Sequence, residues 1–455
     1  MKLHQAFDIV RGDVVSFTGA GGKTATLLAL GHELVESGWR VLATTTTYID
    51  EELLPSLPHI QHYREDPQAI SAALSQYGFV FLYDRFQKRR IYGPTDAEFV
   101  RHLLDTVDSD VLLVKADTAG GRPFKAPKKN EPLVPPESSL VVPMVGLSAL
   151  DQPLDDEHVY NPKAMIDKFG FYKGSKVRSP WVSQVLRDDD LGLHGIPENA
   201  RVIGFLNQAP HEGYLRSRAR LIAKLALKSP RFHGVALGSA RAADPVVEIR
   251  RPIAAIVLAA GQSSRMGQPK VLLPWEGSQT IIEHIITQLI RSRVEHIVVV
   301  TGHYADEVKR LVKPYDVKVV HNRAYKTGEM VSSLKAGLRT LPDHISAAML
   351  VLGDQPRLQP RVLYELLNAY AEGAGDIVIP SYQMRRGHPI LIGRRYWPEI
   401  LALRNHEQPR DVINAHAEKI AYVKVYTDSV IRDVDTPADY YQERQRAGLG
   451  KKRIE

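Results

Sequence analysis

The sequence predicts an α/β protein of two domains, an N-terminal P-loop-like domain and a C-terminal Rossmann-like domain with a mostly parallel sheet. Three observations carry this expectation. Residues 14–38 and 253–275 each open with an apolar or β-branched run, turn on glycines and continue in a helical pattern, the usual start of an α/β nucleotide site. After the second turn, strand-like and helix-like runs alternate as in a sheet covered on both faces. The chain's 455 residues also exceed what one core ordinarily serves.

In the first domain, VVSF reads as a strand, TATLLALGHELVES as a helix, RVLATTTT as a second strand and VLLVKADTAG as a third that ends at Asp117. Residues 148–229 are less regular, and no element is assigned there. Residues 239–252, SARAADPVVEIRRP, show neither helical nor strand period and read as a linker. The expected division is therefore 1–238, a linker at 239–252, and 253–445. In the second domain IAAIVLA is a strand, TIIEHIITQLIRS a helix, VEHIVVVTG a strand, YADEVKRLV a helix and VKVVHN a strand. MVSSLKAGLRTL is a helix, AAMLVLGDQP a strand running into a turn, RVLYELLNAYAE a helix, and DIVIPSY and HPILIG are strands. The turns after Leu258, Val300 and Leu352 fall at the carboxyl edge of the sheet, where such folds bind ligands.

Composition excludes several function classes. With 44% apolar and 24% charged residues the chain is neither disordered nor fibrous. Zero Cys removes disulfides, thiolate metal sites and cysteine nucleophiles. No apolar run reaches the roughly 18 residues of a membrane span, and MKLHQAFDIVRGD carries charges where a signal peptide needs apolar residues. A soluble cytoplasmic protein is expected. The net charge of +7 suits an anionic small ligand. For nucleic acid the only support is basicity and the KKRIE tail, which reads as solvated surface, so neither a nucleic-acid nor a membrane partner is expected.

LAAGQSSRMGQPK (residues 258–270) is the strongest signal. Leu258 ends a strand, and Ala259, Ala260, Gly261 and Gly267 let the backbone approach a triphosphate and donate amides to it. Arg265 and Lys270 add positive charge to stabilise a phosphorus centre under attack. GDQP ends a strand with a carboxylate, which makes Asp354 a hard oxygen ligand suited to Mg²⁺. Asp435 in DVDTPAD is a second such carboxylate, with Asp433 close by, or alternatively a helix N-terminal residue. Ser332 and Ser333 either cap a helix or hold a phosphate at its positive end.

In the first domain FTGAGGKTA (residues 17–25) places Gly19, Gly21 and Gly22 before Lys23 and Thr24, a phosphate loop lacking its leading Gly because Phe17 stands there. Lys23 would serve phosphates and Thr24 a magnesium ion. Asp117 is either a turn residue or a metal-contacting carboxylate.

LAAGQSSRMGQPKVLLP, VVVTGHYADEV, GEMVSSLKAGL, VLGDQP, IVIPSYQMRRGHPILI and RDVDTPADY together resemble the molybdenum cofactor cytidylyltransferase (MocA-like) branch of the nucleotidyltransferases. The resemblance implies transfer of CMP from CTP to the terminal phosphate of Mo-molybdopterin. Asp354 and Asp435 would hold Mg²⁺, Thr301, Gly302 and His303 would approach base and ribose, and Gly387, His388 and Pro389 would face the pterin. LAAG, with Ala260, is the cytidylyl form, whereas guanylyl enzymes carry LAGG. One departure is NHEQPRDVI (residues 405–413), which stands where the family often has a GDxGAR-like segment. Guanylyl transfer or another nucleotidyl transfer is disfavoured by the absence of LAGG and the presence of RRGHP. A non-catalytic cofactor chaperone or insertion factor is disfavoured by the intact Arg265, Lys270 and Asp354.

SFTGAGGKTATLLAL, LATTTTYI, VKADTAGGRPFKAPKKNEPLVP, VPMVGLSALDQPLDDEHVYNP and FLNQAP resemble the selenium-dependent hydroxylase accessory (YqeC-like) family. This implies an accessory domain that binds ATP or GTP and serves the maturation of molybdenum hydroxylases, with an apo-hydroxylase as partner. Lys115 and Thr118 replace the family's usual acidic residue and Gly around the Ala-Asp pair, which counts against hydrolysis. In FLNQAP, Asn207 is present without the Lys and Asp of a guanine-reading motif, so the base is open.

Overall fold

The computed structural model describes residues 1–94, 98–263, 266–326, 330–404 and 407–450 and divides into two compact units, Met1–Arg250 and Arg251–Glu455. In the first unit nine strands form one sheet: β1 (Asp13–Gly19), β2 (Val41–Thr45), β3 (His59–His62), β4 (Phe79–Tyr83), β5 (Val111–Lys115), β6 (Leu140–Gly146), β7 (Arg201–Asn207), β8 (Phe232–Gly238) and β9 (Val246–Arg250). Their spatial order is β9-β8-β7-β6-β1-β5-β2-β4-β3, with every pairing parallel except β8–β9. Central strands are apolar at successive positions because both faces are covered. Val15 and Phe17 of β1 pack on one face with Leu27, Leu30 and Leu34 of helix Lys23–Glu36, while Val14 packs on the other with Ile70 and Leu74.

Residues 239–252 are not a linker. Val246–Arg250 is the antiparallel edge strand β9, and the units divide after Arg250. The alternation VVEIR was too short to stand out beside Ala, Arg and Pro, and its pairing with β8 is what makes it a strand. Residues 148–229, unassigned from the sequence, hold helices Pro162–Phe169, Ser179–Leu186 and Tyr214–Ala226 and strand β7. Two of these helices are eight residues long, too short for a clear period. They close over a separate cluster that includes Phe124, Met165, Val182, Leu206 and Ile222.

The second unit is built on β10 (Ile253–Ala259), β11 (His296–Thr301), β12 (Lys318–His321), β13 (Ala347–Leu352), β14 (Ile377–Tyr382), β15 (Arg385–Arg386), β16 (Ile390–Gly393) and β17 (Ile420–Lys424). The order is β12-β11-β10-β13-β16-β14-β15, with β17 parallel beside β14. The strands expected from the alternation are all present, and the sheet is mostly parallel, with β16 and β15 reversed. Ala255 and Val257 face Ile281, Ile285 and Leu289 of helix Ile281–Arg291, and Ala254 and Ile256 face Leu334 and Leu338 of helix Met330–Leu338. A Cβ on Gly337 would lie 2.6 Å from Ile256 Cγ2, so Gly there permits close helix–sheet contact. No helix among the described residues is long and apolar enough to cross a membrane.

Candidate active site

β10, at the centre of the parallel strands, ends at Ala259, and the turn after it lies over the carboxyl edge between β11 and β13. A cavity of about 330 Å³ opens there, lined by Leu258, Ala259, Ala260, Gly261, Ser263, Lys270 and Asp354 together with Tyr325, Met330 and Ser333. The turn is drawn closed by Ser263, whose hydroxyl accepts from the Lys270 amide at 3.1 Å. Gly267 has a φ of 75°, in the left-handed region that glycine adopts without strain. Arg265 lies outside the described residues. The next two strands press against this turn. The Gly353 amide donates to the Leu258 carbonyl at 3.0 Å. A Cβ on Gly302 would meet the Ala260 carbonyl oxygen at 2.4 Å. Gly302→Ala is therefore expected to shift the Ala260 backbone and cost about 1–3 kcal/mol, as overpacking does, read as a lowered urea midpoint. An unchanged midpoint would refute that tight contact.

Lys270 Nζ lies 2.5 Å from Asp435 Oδ1 and 3.6 Å from Asp354 Oδ2, so one ammonium joins the two carboxylates chosen from the sequence. The helix Pro437–Arg446 is capped by Thr436, whose hydroxyl accepts from Asp439, while Asp439 reaches back to the Thr436 amide. Asp435 is therefore not the cap, and its carboxylate serves Lys270. Burial and the neighbouring Asp433 carboxylate push Asp354 up to about 6 against the pull of Lys270. Asp433 is held by the Gln355 side chain at 2.7 Å, and the Val434 amide donates to the Asp354 carbonyl at 2.8 Å. Carboxylates crowded this way gain from a further cation. Their hard oxygens fit Mg²⁺, which ordinarily takes one or two protein carboxylates and completes its shell with water and phosphate oxygens. Among the described residues no group of three or more His, Asp or Glu side chains is placed to hold a metal ion.

The other expected residues fall around this centre in different ways. Thr301 is buried, and its hydroxyl donates to the Val320 carbonyl within the sheet. His303 packs edge-on against Tyr304 and lies near Tyr325, which itself lines the cavity. Ser332 and Ser333 lie in the first turns of the helix Met330–Leu338, and both hydroxyls accept from the Asn322 side chain, at 2.8 and 3.0 Å. Gly387, His388 and Pro389 do not line the cavity. The amides of Gly387 and His388 donate to the carbonyls of Pro380 and Val430, and Gly387 and Pro389 are buried. Burial lowers the His388 pKa, partly offset by the Leu350 carbonyl and the charge of Asp433. Tyr325, Asn322 and the Gln355–Asp433 pair were not singled out as site residues from the sequence. Their signal was position, since Asn322 follows β12 directly at the carboxyl edge.

The first unit has its own cluster. Gly19, Gly21 and Gly22 have φ of 79°, 81° and 118°, and Lys23 opens the helix. Lys23 donates to the Gly19 carbonyl and lies 2.9 Å from Asp117 Oδ1. Asp117 stands two residues beyond β5 and accepts from the Gly19 amide at 3.1 Å, tying it to the loop. Thr24 is half-buried at the start of the same helix. Asn207 holds the turn: its amide donates to the Gly21 carbonyl at 2.7 Å and its oxygen accepts from the Ala240 amide at 3.0 Å.

Comparison with known proteins matches residues 255–420 to the model of the MobA-like NTP transferase domain and residues 15–163 to that of the YqeC protein. The chain is 28% identical over 194 residues to the molybdenum cofactor cytidylyltransferase of Escherichia coli (strain K12), covering 42% of this chain and 95% of that one. It is 29% identical over 200 residues to the uncharacterized protein YqeC of the same organism, covering 44% and 77%. A 34% identity over 134 residues, covering 28% of this chain and 26% of the other, relates it to the bifunctional protein GlmU of Kineococcus radiotolerans. The second unit is thus similar to the MobA-like NTP transferase domain over residues 255–420 and the first to the YqeC protein over residues 15–163.

Proposed function

We propose that the second unit transfers CMP from CTP to the terminal phosphate of Mo-molybdopterin, releasing pyrophosphate. The observation that carries the reading is the meeting of Lys270 with Asp354 and Asp435 beside the glycine turn, in a cavity open at the sheet edge. A terminal phosphate oxygen of the acceptor forms a bond to the α-phosphorus while the bond to the bridging oxygen breaks, and that oxygen leaves with pyrophosphate. No covalent protein intermediate is needed, so the residues position charge. The turn amides receive the triphosphate oxygens, and Lys270, with Arg265 assigned from the sequence, neutralises charge in transit. Asp354 and Asp435 would hold Mg²⁺, which when bound supplies positive charge to the phosphates.

The relative at 28% identity supports the cytidylyl choice, and Ala260 in LAAG supports it independently. In the presence of Mo-molybdopterin and Mg²⁺, pyrophosphate release is expected from CTP in preference to GTP. Preference for GTP would overturn the choice of base, and no release with either would overturn the reaction. The first unit is proposed to serve the maturation of molybdenum hydroxylases, supported by its match to the YqeC model and its fusion to the transferase.

A further inference from the structure

We infer that the second unit has a further binding site, for a phosphate-bearing small molecule, between the carboxyl end of β12 and helix Met330–Leu338, where Arg323, Lys335 and Arg339 receive the phosphate. Along MVSSLKAGLRTL, Leu334 and Leu338 pack on the sheet. The helical spacing then puts Ser332, Lys335, Ala336 and Arg339 together on an adjoining face. Arg339 follows the last helical residue, and its amide still donates to the Lys335 carbonyl at 3.1 Å, which keeps it on that face. Facing it, β12 is the outermost strand of the sheet and ends at His321. The next residue, Asn322, is buried, with its amide on the Thr301 carbonyl at 2.8 Å. Between helix and strand end lies a cavity of about 390 Å³ whose lining includes His321, Asn322, Arg323, Ser332, Lys335 and Arg339.

The charge in this cavity is one-sided. Among the described residues no acidic side chain lines it, and Arg323 and Arg339 meet no carboxylate. The Lys335 ammonium donates to a backbone group, the Leu403 carbonyl. Elsewhere in the same unit Arg357, Arg394, Arg395 and Arg446 each meet a carboxylate. Lys335 and Arg339 also stand four residues apart, a spacing at which like charges on a helix repel. An anion between them removes that repulsion, and the arginine forks match phosphate oxygens. The volume exceeds what one phosphate group fills and falls in the range of small-molecule pockets. Asn322 and Ser332 offer polar groups to the rest of such a ligand. The cavity is separate from the one over the glycine turn. Ser332 lines the first of these and Ser333 the second, while the Asn322 side chain donates to both hydroxyls.

The test uses the full chain without nucleotide and titrates ribose 5-phosphate and inorganic phosphate by calorimetry, with hydrogen exchange followed over residues 331–339. Binding with protection of residues 331–339 is expected. Tighter binding of ribose 5-phosphate would identify an organic ester as the source, and the reverse order the free ion. Arg323→Gln combined with Arg339→Gln should weaken the tighter of the two about tenfold or more, the scale of one hydrogen bond to a charged group. Lys270→Gln, which alters only the cavity over the glycine turn, should leave it unchanged. Binding is read directly, so a failure of CMP transfer from CTP does not touch these outcomes. A loss with Lys270→Gln as large as that with the arginine pair would place the anion in the other cavity and overturn the inference. A single-stranded oligonucleotide held more tightly than either phosphate, through the same arginines, would replace the small-molecule site with a nucleic-acid face. No binding of either phosphate, or undiminished binding by the folded double variant, would also overturn it. So would unprotected residues 331–339 in the saturated wild-type chain, without reliance on any variant.

Discussion

Asp354→Ala is expected to lower pyrophosphate release from CTP by about 100-fold or more, the scale on which preorganised electrostatic groups act. Asp354 is half-buried at the end of β13, faces Lys270, and is crowded by Asp433 and Asp435. A carboxylate whose pKa is pushed up to about 6 is destabilising in its ionised form above that pH, because the unfolded chain ionises it more easily. In magnesium-free buffer near pH 8, Asp354→Asn should accordingly unfold at the same temperature as the wild type or a higher one while losing turnover. That pairing separates a functional carboxylate from a structural one. Turnover retained in Asp354→Ala would refute the assignment, and a sharp fall in thermal stability with Asn would show that the carboxylate instead supports the fold.

Most of the second unit was legible because its strands are buried on both faces and its helices carry one apolar stripe, so each element shows its period locally. Gly261, Lys270 and Asp354 were legible for the same reason, since each follows a strand that announces itself. The approach of Asp435 to Lys270 was not, because 165 residues separate them and only the fold brings them together. His388 shows the opposite limit. Its backbone amide donates to the Val430 carbonyl, a tie to a distant segment that its motif did not announce. The strand Val246–Arg250 was missed because an edge strand is defined by its partner.

Glu248 gives the largest stability effect expected in the first unit. It is fully buried, and its carboxylate accepts from Arg216 at 2.7 Å, from Arg220 at 2.7 and 2.5 Å and from Arg250 at 3.3 Å. Burial alone would raise its pKa, but the Arg220 hydrogen bond, the Arg250 charge and the Arg216 hydrogen bond outweigh it and hold the group at about 2. Glu248→Ala removes the buried carboxylate that three guanidinium groups share, and removing one side of a buried ion cluster costs about 3–5 kcal/mol. The arginines keep part of their hydration, so the lower end of that range is expected. The pH dependence has a definite sign. A depressed carboxylate stabilises fully above its unfolded pKa, near 4.5, and loses that contribution as pH falls toward 2. Wild type should therefore lose its advantage over Glu248→Gln across that window and hold it at pH 7. Urea unfolding of both chains from pH 2.5 to 7, with hydrogen exchange at Phe232–Gly238 and Val246–Arg250 to localise the change, measures this directly. A Glu248→Ala chain whose edge strand exchanges as slowly as the wild type's would show that the arginine cluster does not hold β9 in place.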